Sequence, residues 1–250
     1  MKVHYHLMDL ETRGGAAALG RLLDAAEAVG FAGVNITHPC KQTVMAFLDD
    51  LSADAEAIGA VNTVVFRAGK RSGHNTDWFG FAESFRRGLP GAALDRVVLV
   101  GAGGGGSAVG HAVLRLGAKE LRIMDDDSAR SNRLAERLTV HFPDSKVSAV
   151  DGLPDALAEA DGLIHATPSG MAGHPGLAVP SALLRAELWV ADIVYFPLET
   201  ELLREARRRG CPTLDGGGMA VFQAAEAFRL FTGASPDAER MLAGFRQRQA

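Results

Sequence analysis

A chain of 250 residues permits one large domain or two smaller ones, with ample core in either case. With 47% hydrophobic and 22% charged residues it has a globular composition, and a net charge of -4 speaks against a nucleic-acid surface. Two cysteines, Cys40 and Cys211, lie far apart without a partner motif, the N-terminal "MKVHYHLMDLE" is too polar for a signal peptide, and no apolar run approaches the ~18 residues of a membrane span; a disulfide framework, secretion and membrane insertion are therefore set aside in favour of a reducing, cytoplasmic setting.

Taken in chain order, the first elements are mixed. A helix over Gly15–Val29 precedes a strand over Gly33–Thr37. A second helix is expected to begin near Pro39, a good first-turn residue, which would place Lys41 in its first turn. A short helix, Ala53–Ile58, leads into "AVNTVVFRAGKRSGHNT", which reads as a hairpin turning at Ala68-Gly69-Lys70. Asp77 then opens an amphipathic helix, Trp78–Arg86.

From Val97 the pattern changes to alternating strand and helix. "VVLV" (Val97–Val100), "LRIM" (Leu121–Met124), "KVSAV", "GLIHA" and "LWVADIV" are strands, and Ser107–Leu116 and Ser128–Phe142 are helices, the latter capped by Asp127 or Ser128. This alternation implies a parallel, doubly wound sheet. Arg207-Arg208-Arg209 falls late in an amphipathic helix, where cations suit the C-terminal dipole. "LDGGGM" reads as a hinge before the last helices, Met219–Phe231 and Pro236–Gln249. The expected fold is α/β with two domains: a Rossmann-type doubly wound sheet over 91–218, and a smaller α/β substrate domain over 1–90 that the residues 219–250 rejoin.

Gly101, Gly103 and Gly106 have the G-x-G-x-x-G spacing between a strand and a helix. Such a loop turns tightly, lets backbone approach a pyrophosphate and points a helix N-terminus at it. The next strand ends in Asp125, about 20 residues on, where a carboxylate binds the ribose hydroxyls of NAD and repels the 2′-phosphate of NADP. Asp126 and Asp127 add negative charge, with Arg130 near enough to compensate one of the three. NAD is therefore expected rather than NADP.

A secondary-alcohol dehydrogenase also needs a group that takes the hydroxyl proton. Lys41 is one candidate, and a lysine in a first helical turn sits badly with the helix dipole unless something holds it there. Asp77 is a possible partner, although an N-cap is the commoner role for aspartate at such a position. Lys41 would be base or electrostatic partner according to its protonation state. Asn62 reads equally as a strand-edge amide, Thr37 as a strand-end hydroxyl, His38 as structural or exposed and Cys40 as a small buried hydrophobe. Tyr195 follows a strand at the end where loops of a doubly wound sheet meet ligands. The eight histidines lack metal spacing, so no metal is expected.

Five segments, "GVNITHPCKQ", "GAVNTV", "GHNTDWFGF", "VGAGGGGSA" and "GMAVFQAAEAFRLFTG", together resemble the shikimate dehydrogenase family, in order and over nearly the whole chain. "NITHP", Asp125 and "DIVYFPLETELL" point to its NAD-dependent quinate/shikimate branch. The resemblance implies reversible oxidation of the C3 hydroxyl of shikimate or quinate to the 3-dehydro compound. It makes Lys41 the catalytic lysine and Asp77 its partner, and gives Thr37, Asn62, Tyr195 and Gln223 to the substrate. It places Gly101, Ala102, Gly103, Gly104 and Gly105 at the phosphates, Asp125 at the adenosine ribose, and Ile193 and Gly216 beside the nicotinamide. The implied partner is a small molecule, with no nucleic acid or membrane, for a monomer or homodimer.

One departure goes with it. The chain begins where "KVHYHLMDLE" resembles the family's second strand, so the first strand, first helix and the Ser-x-Ser or Ser-x-Thr loop that binds the substrate carboxylate have no counterpart. A start assigned too late, a truncation or a degenerate homologue would each account for this, the first being favoured. The alternative to an enzyme is then a cofactor-binding paralogue or regulatory module without turnover. A two-domain dehydrogenase of folates or amino acids is opposed by "NTD" and "NITHPCKQ".

Overall fold

The computed structural model describes residues 3–10, Thr12 and 14–249. Helix α1 (Leu19–Ala28) follows a single 3₁₀ turn and buries Leu19, Leu23 and Ala26 at helical spacing. Strands β1 (Gly33–Asn35), β2 (Asp50–Leu51), β3 (Thr63–Arg67) and β4 (Lys70–His74), with α2 (Ala53–Ile58) between β2 and β3, build a four-stranded sheet of order β1-β3-β4-β2. β3 pairs antiparallel with β1 and β4, whereas β2 and β4 run parallel. The β3–β4 hairpin turns at Ala68 and Gly69, with φ of 53° and 72°, the sign a tight two-residue turn needs at both positions.

Helix α3 (Asp77–Gly88) leads to the second sheet. Its strands are β5 (Arg96–Val100), β6 (Glu120–Met124), β7 (Lys146–Ala149), β8 (Gly162–His165), β9 (Trp189–Asp192) and β10 (Thr213–Leu214). All are parallel, in the order β10-β9-β8-β5-β6-β7. This is the doubly wound order with its switch point between β5 and β8, and ligands bind at the carboxyl ends of such strands. The connecting helices are α4 (Gly104–Arg115), α5 (Ser128–His141), α6 (Leu153–Leu157) and α7 (Glu201–Arg208). Val97, Leu99, Leu121, Ile123 and Ile164 are wholly shielded between strands and helices, as apolar central strands of a parallel sheet require. Finally α8 (Gly217–Thr232) packs on α3 and reaches β3 of the first sheet, and α9 (Ala238–Gln249) packs on α8. Close packing of α8 on α3 is fixed at Gly80, where a Cβ would stand 2.5 Å from the Met219 carbonyl oxygen.

Several expectations need correction. Residues 3–10 of the stretch likened to a strand are not in one; Lys2 and Glu11 lie outside the described residues. No α-helix starts at Pro39. The chain turns there and forms only a 3₁₀ helix, Thr43–Phe47. The Lys41 carbonyl accepts from the Val61 N–H at 2.8 Å instead of from an amide one turn on, so a long-range backbone contact captures the group a helix would need. Asp77 is not the cap of α3 but its first residue; the Asn75 Oδ1 accepts the Asp77 and Trp78 amides at 3.0 and 3.4 Å, which leaves the Asp77 carboxylate free for other partners. α4 begins at Gly104 rather than Ser107, and "LDGGGM" is divided between β10 and α8.

Candidate active site

A cleft of ≈ 700 Å³ opens between the two sheets, with Lys41, Asn62 and Asp77 on one wall and Gly105, Ile193 and Gly216 on the other. Thr37, Tyr195 and Gln223 also line it. The Lys41 Nζ donates to the Asp77 Oδ2 at 2.6 Å. The aspartate side chain is only 8% exposed and the lysine 21%, so the pair is shielded enough for its attraction to exceed that of a surface ion pair, while the amine still reaches the cleft.

Asp77 is held from three sides. Its backbone is fixed by Asn75, whose own Nδ2 donates to the Ala60 carbonyl at 2.9 Å. Its Oδ1 accepts from the Asn62 Nδ2 at 2.9 Å, leaving Oδ2 for the lysine. Asn62 is 3% exposed and is itself oriented: its Oδ1 accepts from the Thr76 N–H at 2.7 Å and from the Thr63 hydroxyl at 3.0 Å. Those two donors settle which end of the amide faces Asp77. The Gln223 Oε1, on α8, lies 3.5 Å from the Asn62 Nδ2 and 3.4 Å from the Thr76 Oγ1. Thr37 is exposed at the rim, its hydroxyl making only a 3.4 Å contact to the adjacent His38 carbonyl. Tyr195 is 52% exposed.

The glycine loop faces this pair. Gly101 has φ of 106°, and a Cβ on Gly106 would lie 1.9 Å from the Gly101 carbonyl oxygen, so the loop closes on itself only with glycine at both positions. α4 starts at Gly104, whose hypothetical Cβ would sit 3.4 Å from the Lys41 side chain; the helix N-terminus and the lysine are neighbours. Gly103 caps α4, and nothing lies within 4 Å of where its Cβ would be. A loop of this shape at a helix N-terminus fits a pyrophosphate. Asp125, at the end of β6, accepts the Ala102 N–H at 2.7 Å and the Asp127 N–H at 2.9 Å. The Arg130 Nε is 3.1 Å from Asp127 and 3.6 Å from Asp125, and the Arg130 guanidinium pulls the fully exposed Asp127 carboxyl below its usual range. On the other side, Gly216 lies against the Ile193 and Val194 carbonyls, where a Cβ would be 2.4 and 2.5 Å away.

The residues expected at the substrate and the nicotinamide therefore line this cleft, and the glycine loop and Asp125 lie at the carboxyl ends of β5 and β6 beside it, whereas Cys40 and Cys211 are buried in apolar cores. Asn75, Thr76 and Thr63 are supports that the sequence reading does not name. Their signal lies in "GHNTDWFGF" and "GAVNTV", where polar residues adjoin Asp77 and Asn62. Among the described residues, no group of three or more His, Cys, Asp or Glu is placed to hold a metal, and no helix is long and apolar enough to cross a membrane.

A phosphate-binding loop at the switch point of a doubly wound sheet, facing a shielded lysine–carboxylate pair on a second α/β unit, defines a two-domain, dinucleotide-dependent oxidoreductase. The family model for the shikimate dehydrogenase substrate-binding domain matches residues 1–64, and that for the shikimate 5'-dehydrogenase C-terminal domain matches residues 216–243. A shikimate dehydrogenase (NADP(+)) of Streptomyces avermitilis is 58% identical over 97% of this chain and 84% of its own length. A quinate/shikimate dehydrogenase (NAD(+)) of Corynebacterium efficiens is 48% identical over 97% of this chain and 87% of its own. The quinate dehydrogenase of Corynebacterium glutamicum, solved with NAD, superimposes with a TM-score of 0.87 at 50% identity, over 92% of this chain and 82% of that one. The chain belongs to the shikimate dehydrogenase family.

Proposed function

We propose that this protein catalyses the reversible, NAD-linked oxidation of the C3 hydroxyl of shikimate or quinate to the 3-dehydro compound. The observation that carries this reading is the 2.6 Å Lys41–Asp77 pair beside the glycine loop. The relatives named above act on these two substrates, and a small polyhydroxylated acid suits a wall of amide, hydroxyl and carboxylate groups. In this reading residues 1–90 and 219–250 bind substrate, and 91–218 bind the dinucleotide.

When bound, the dinucleotide supplies the hydride acceptor. Lys41, as the amine, takes the hydroxyl proton while the C3–H bond gives up its hydride and the C–O bond becomes a carbonyl. In reverse, the Lys41 ammonium returns that proton to the oxygen as negative charge develops there. Asp77 holds the amine in line and stabilises its charged form. Asn62 and Gln223 orient the ring hydroxyls, with Thr37 and Tyr195 closing the substrate side. Gly101–Gly106 hold the pyrophosphate, Ile193 and Gly216 flank the nicotinamide, and Asp125 binds the adenosine ribose.

NAD over NADP is the finer part of the proposal. It rests on the carboxylate of Asp125 at the end of β6, with Asp126 and Asp127 beside it and the Arg130 guanidinium already paired with Asp127. A module without turnover is the less favoured reading, because the substrate-binding family model matches residues 1–64. The deciding experiment is a steady-state assay of NADH or NADPH formation with shikimate and with quinate, Lys41→Ala run in parallel. Turnover that vanishes in the variant is the expected result. Dinucleotide binding without any turnover would refute the enzyme reading.

A further inference from the structure

Behind the nicotinamide wall lies a buried polar cluster that the reaction above does not use. His165, at the end of β8, is fully buried, and Asp192, at the end of β9, and Thr200, before α7, are 2% and 1% exposed. The His165 Nδ1 lies 2.9 Å from the Asp192 Oδ1, and the Thr200 hydroxyl donates to the Asp192 Oδ2 at 2.7 Å. The Val194 N–H donates to the same Oδ1 at 3.0 Å. His165 Nε2 contacts the Thr167 Oγ1 at 2.5 Å, and the His165 carbonyl accepts the Ile193 N–H at 3.1 Å. A buried carboxylate is costly unless its lone pairs are satisfied, and here three donors converge on it.

The placement of these bonds matters more than their number. The Val194 amide is tied to the Asp192 carboxylate and the Ile193 amide to the main-chain carbonyl of His165, and the next residue is Tyr195. The connector that carries Ile193 and Tyr195 to the cleft therefore takes its position from His165 and Asp192. A scaffold could be held there with apolar side chains, as the rest of β8 and β9 is. A fully paired polar cluster instead selects one arrangement, since any displacement of the connector strands a buried carboxylate.

We propose that His165, Asp192 and Thr200 form a positioning unit that sets the nicotinamide wall, fixing Ile193 and Tyr195 against the reacting end of the dinucleotide. The inference rests on the dinucleotide site proposed above. His165 is a positioning residue, since it touches neither reactant.

The test compares two ligands by calorimetry. NAD⁺ spans the whole site, whereas ADP-ribose shares the loop and ribose contacts but lacks the nicotinamide. His165→Leu is expected to weaken NAD⁺ at least fivefold and to leave ADP-ribose within twofold, with kcat falling more than the KM for shikimate changes. His165→Gln, which can still donate an N–H toward Asp192, is expected to restore most of the NAD⁺ affinity. Thr167→Val, at a half-buried position, removes the other contact of the imidazole and serves if His165→Leu does not fold; its effect is expected in the same direction and smaller. Equal weakening of both ligands would mean general support of the sheet edge, and unchanged affinity for both would mean no role; either overturns the proposal. Failure of the unaltered protein to bind NAD⁺ at all would overturn the dinucleotide reading instead.

Discussion

The Lys41 Nζ and the Asp77 Oδ2 stand 2.6 Å apart although 36 positions separate them in the chain. The lysine comes from a turn after β1 and the aspartate from the first residue of α3. What joins them is the segment just before β3: the Val61 N–H donates to the Lys41 carbonyl, and the side-chain amide of Asn62, the next residue, donates to Asp77. Two consecutive residues therefore align both members of the pair.

Lys41→Ala removes the proposed proton acceptor and leaves Asp77 shielded without its cation. General acid–base groups contribute typically 10²–10⁴-fold, so kcat is expected to fall by about that factor while NAD⁺ affinity stays near its original value. Stopped-flow absorbance of NADH with calorimetric NAD⁺ binding checks both halves. A variant retaining more than a tenth of kcat would remove Lys41 from the chemistry.

Asn62→Ala should damage fold and catalysis together. It strands the Thr76 N–H, which Asn62 accepts at 2.7 Å, and one oxygen of Asp77. Each such buried group costs about 1–3 kcal/mol, so a loss of a few kcal/mol in urea unfolding is expected. The kcat/KM should fall too, because Asp77 is then free to rotate away from Lys41. Thr63→Val, which deletes only the hydroxyl donating to Asn62 at 3.0 Å, should show a milder form of both effects. Wild-type kinetics in Asn62→Ala would separate that residue from the site.

His111 gives the stability a pH dependence. It sits on α4 between Trp78 and Phe142, with Nε2 at 3.2 Å from Asp54 and Nδ1 buried without a partner among the described residues. Burial pushes its imidazole below the ordinary 6.5, aided by Arg115 and His141 and opposed by Asp54. Below that ordinary value the unfolded chain binds a proton that the folded chain still refuses, so stability drops as pH falls from about 6.5 toward the folded pKa. Above it both states are neutral and His111 contributes no slope. Half-buried His74 is shifted the same way, also first by burial, so the diagnostic quantity is a difference. The unfolding midpoint of His111→Leu should fall less between pH 7 and pH 5 than that of the unaltered protein; parallel curves would refute the assignment.

What the sequence makes legible is what short-range chemistry determines. The spacing of Gly101, Gly103 and Gly106 between a strand and a helix is enough for the loop, because its shape depends on missing side chains. The turn at Ala68-Gly69 is readable for a similar reason. The absent helix at Pro39 was not readable, since the Lys41 carbonyl is taken by Val61, twenty positions away. Neither was the His165–Asp192–Thr200 cluster: its members look like three unrelated polar residues until β8 and β9 lie side by side. Asp77 shows the middle case: the bond its side chain would make as a helix cap is not needed, because the Asn75 side chain accepts the first amides of α3, and its carboxylate turns to Lys41 instead.

Gly106→Ala tests the loop apart from the acid–base pair. Its Cβ would fall 1.9 Å from the Gly101 carbonyl oxygen, a distance no atoms tolerate, so the loop must open at the pyrophosphate site. Dinucleotide binding is expected to fall by more than a hundredfold. Lys41 and Asp77 belong to other elements and keep their contact. Retained NAD⁺ affinity would show that the phosphates lie elsewhere.

The proposed preference for NAD rests on Asp125. Its side chain is only 8% exposed, and each oxygen already accepts one backbone amide, from Ala102 and from Asp127. A carboxylate oxygen has a second lone pair, so the ribose hydroxyls of NAD can still be accepted. A 2′-phosphate would instead bring up to two negative charges against a fixed carboxylate, and the neighbouring Arg130, 3.6 Å from Asp125, is already engaged at 3.1 Å by Asp127. Names alone leave the choice open, since a relative at 58% identity is called NADP(+)-dependent and one at 48% NAD(+)-dependent. Charge gives the direction. The unaltered protein should prefer NAD, and Asp125→Asn, which keeps one acceptor but removes the charge, should raise the NADP-to-NAD ratio of kcat/KM by about tenfold or more, as a 1.4 kcal/mol change in repulsion would. Equal kcat/KM with both cofactors before any substitution would show that Arg130 swings to the phosphate and that Asp125 serves the loop alone.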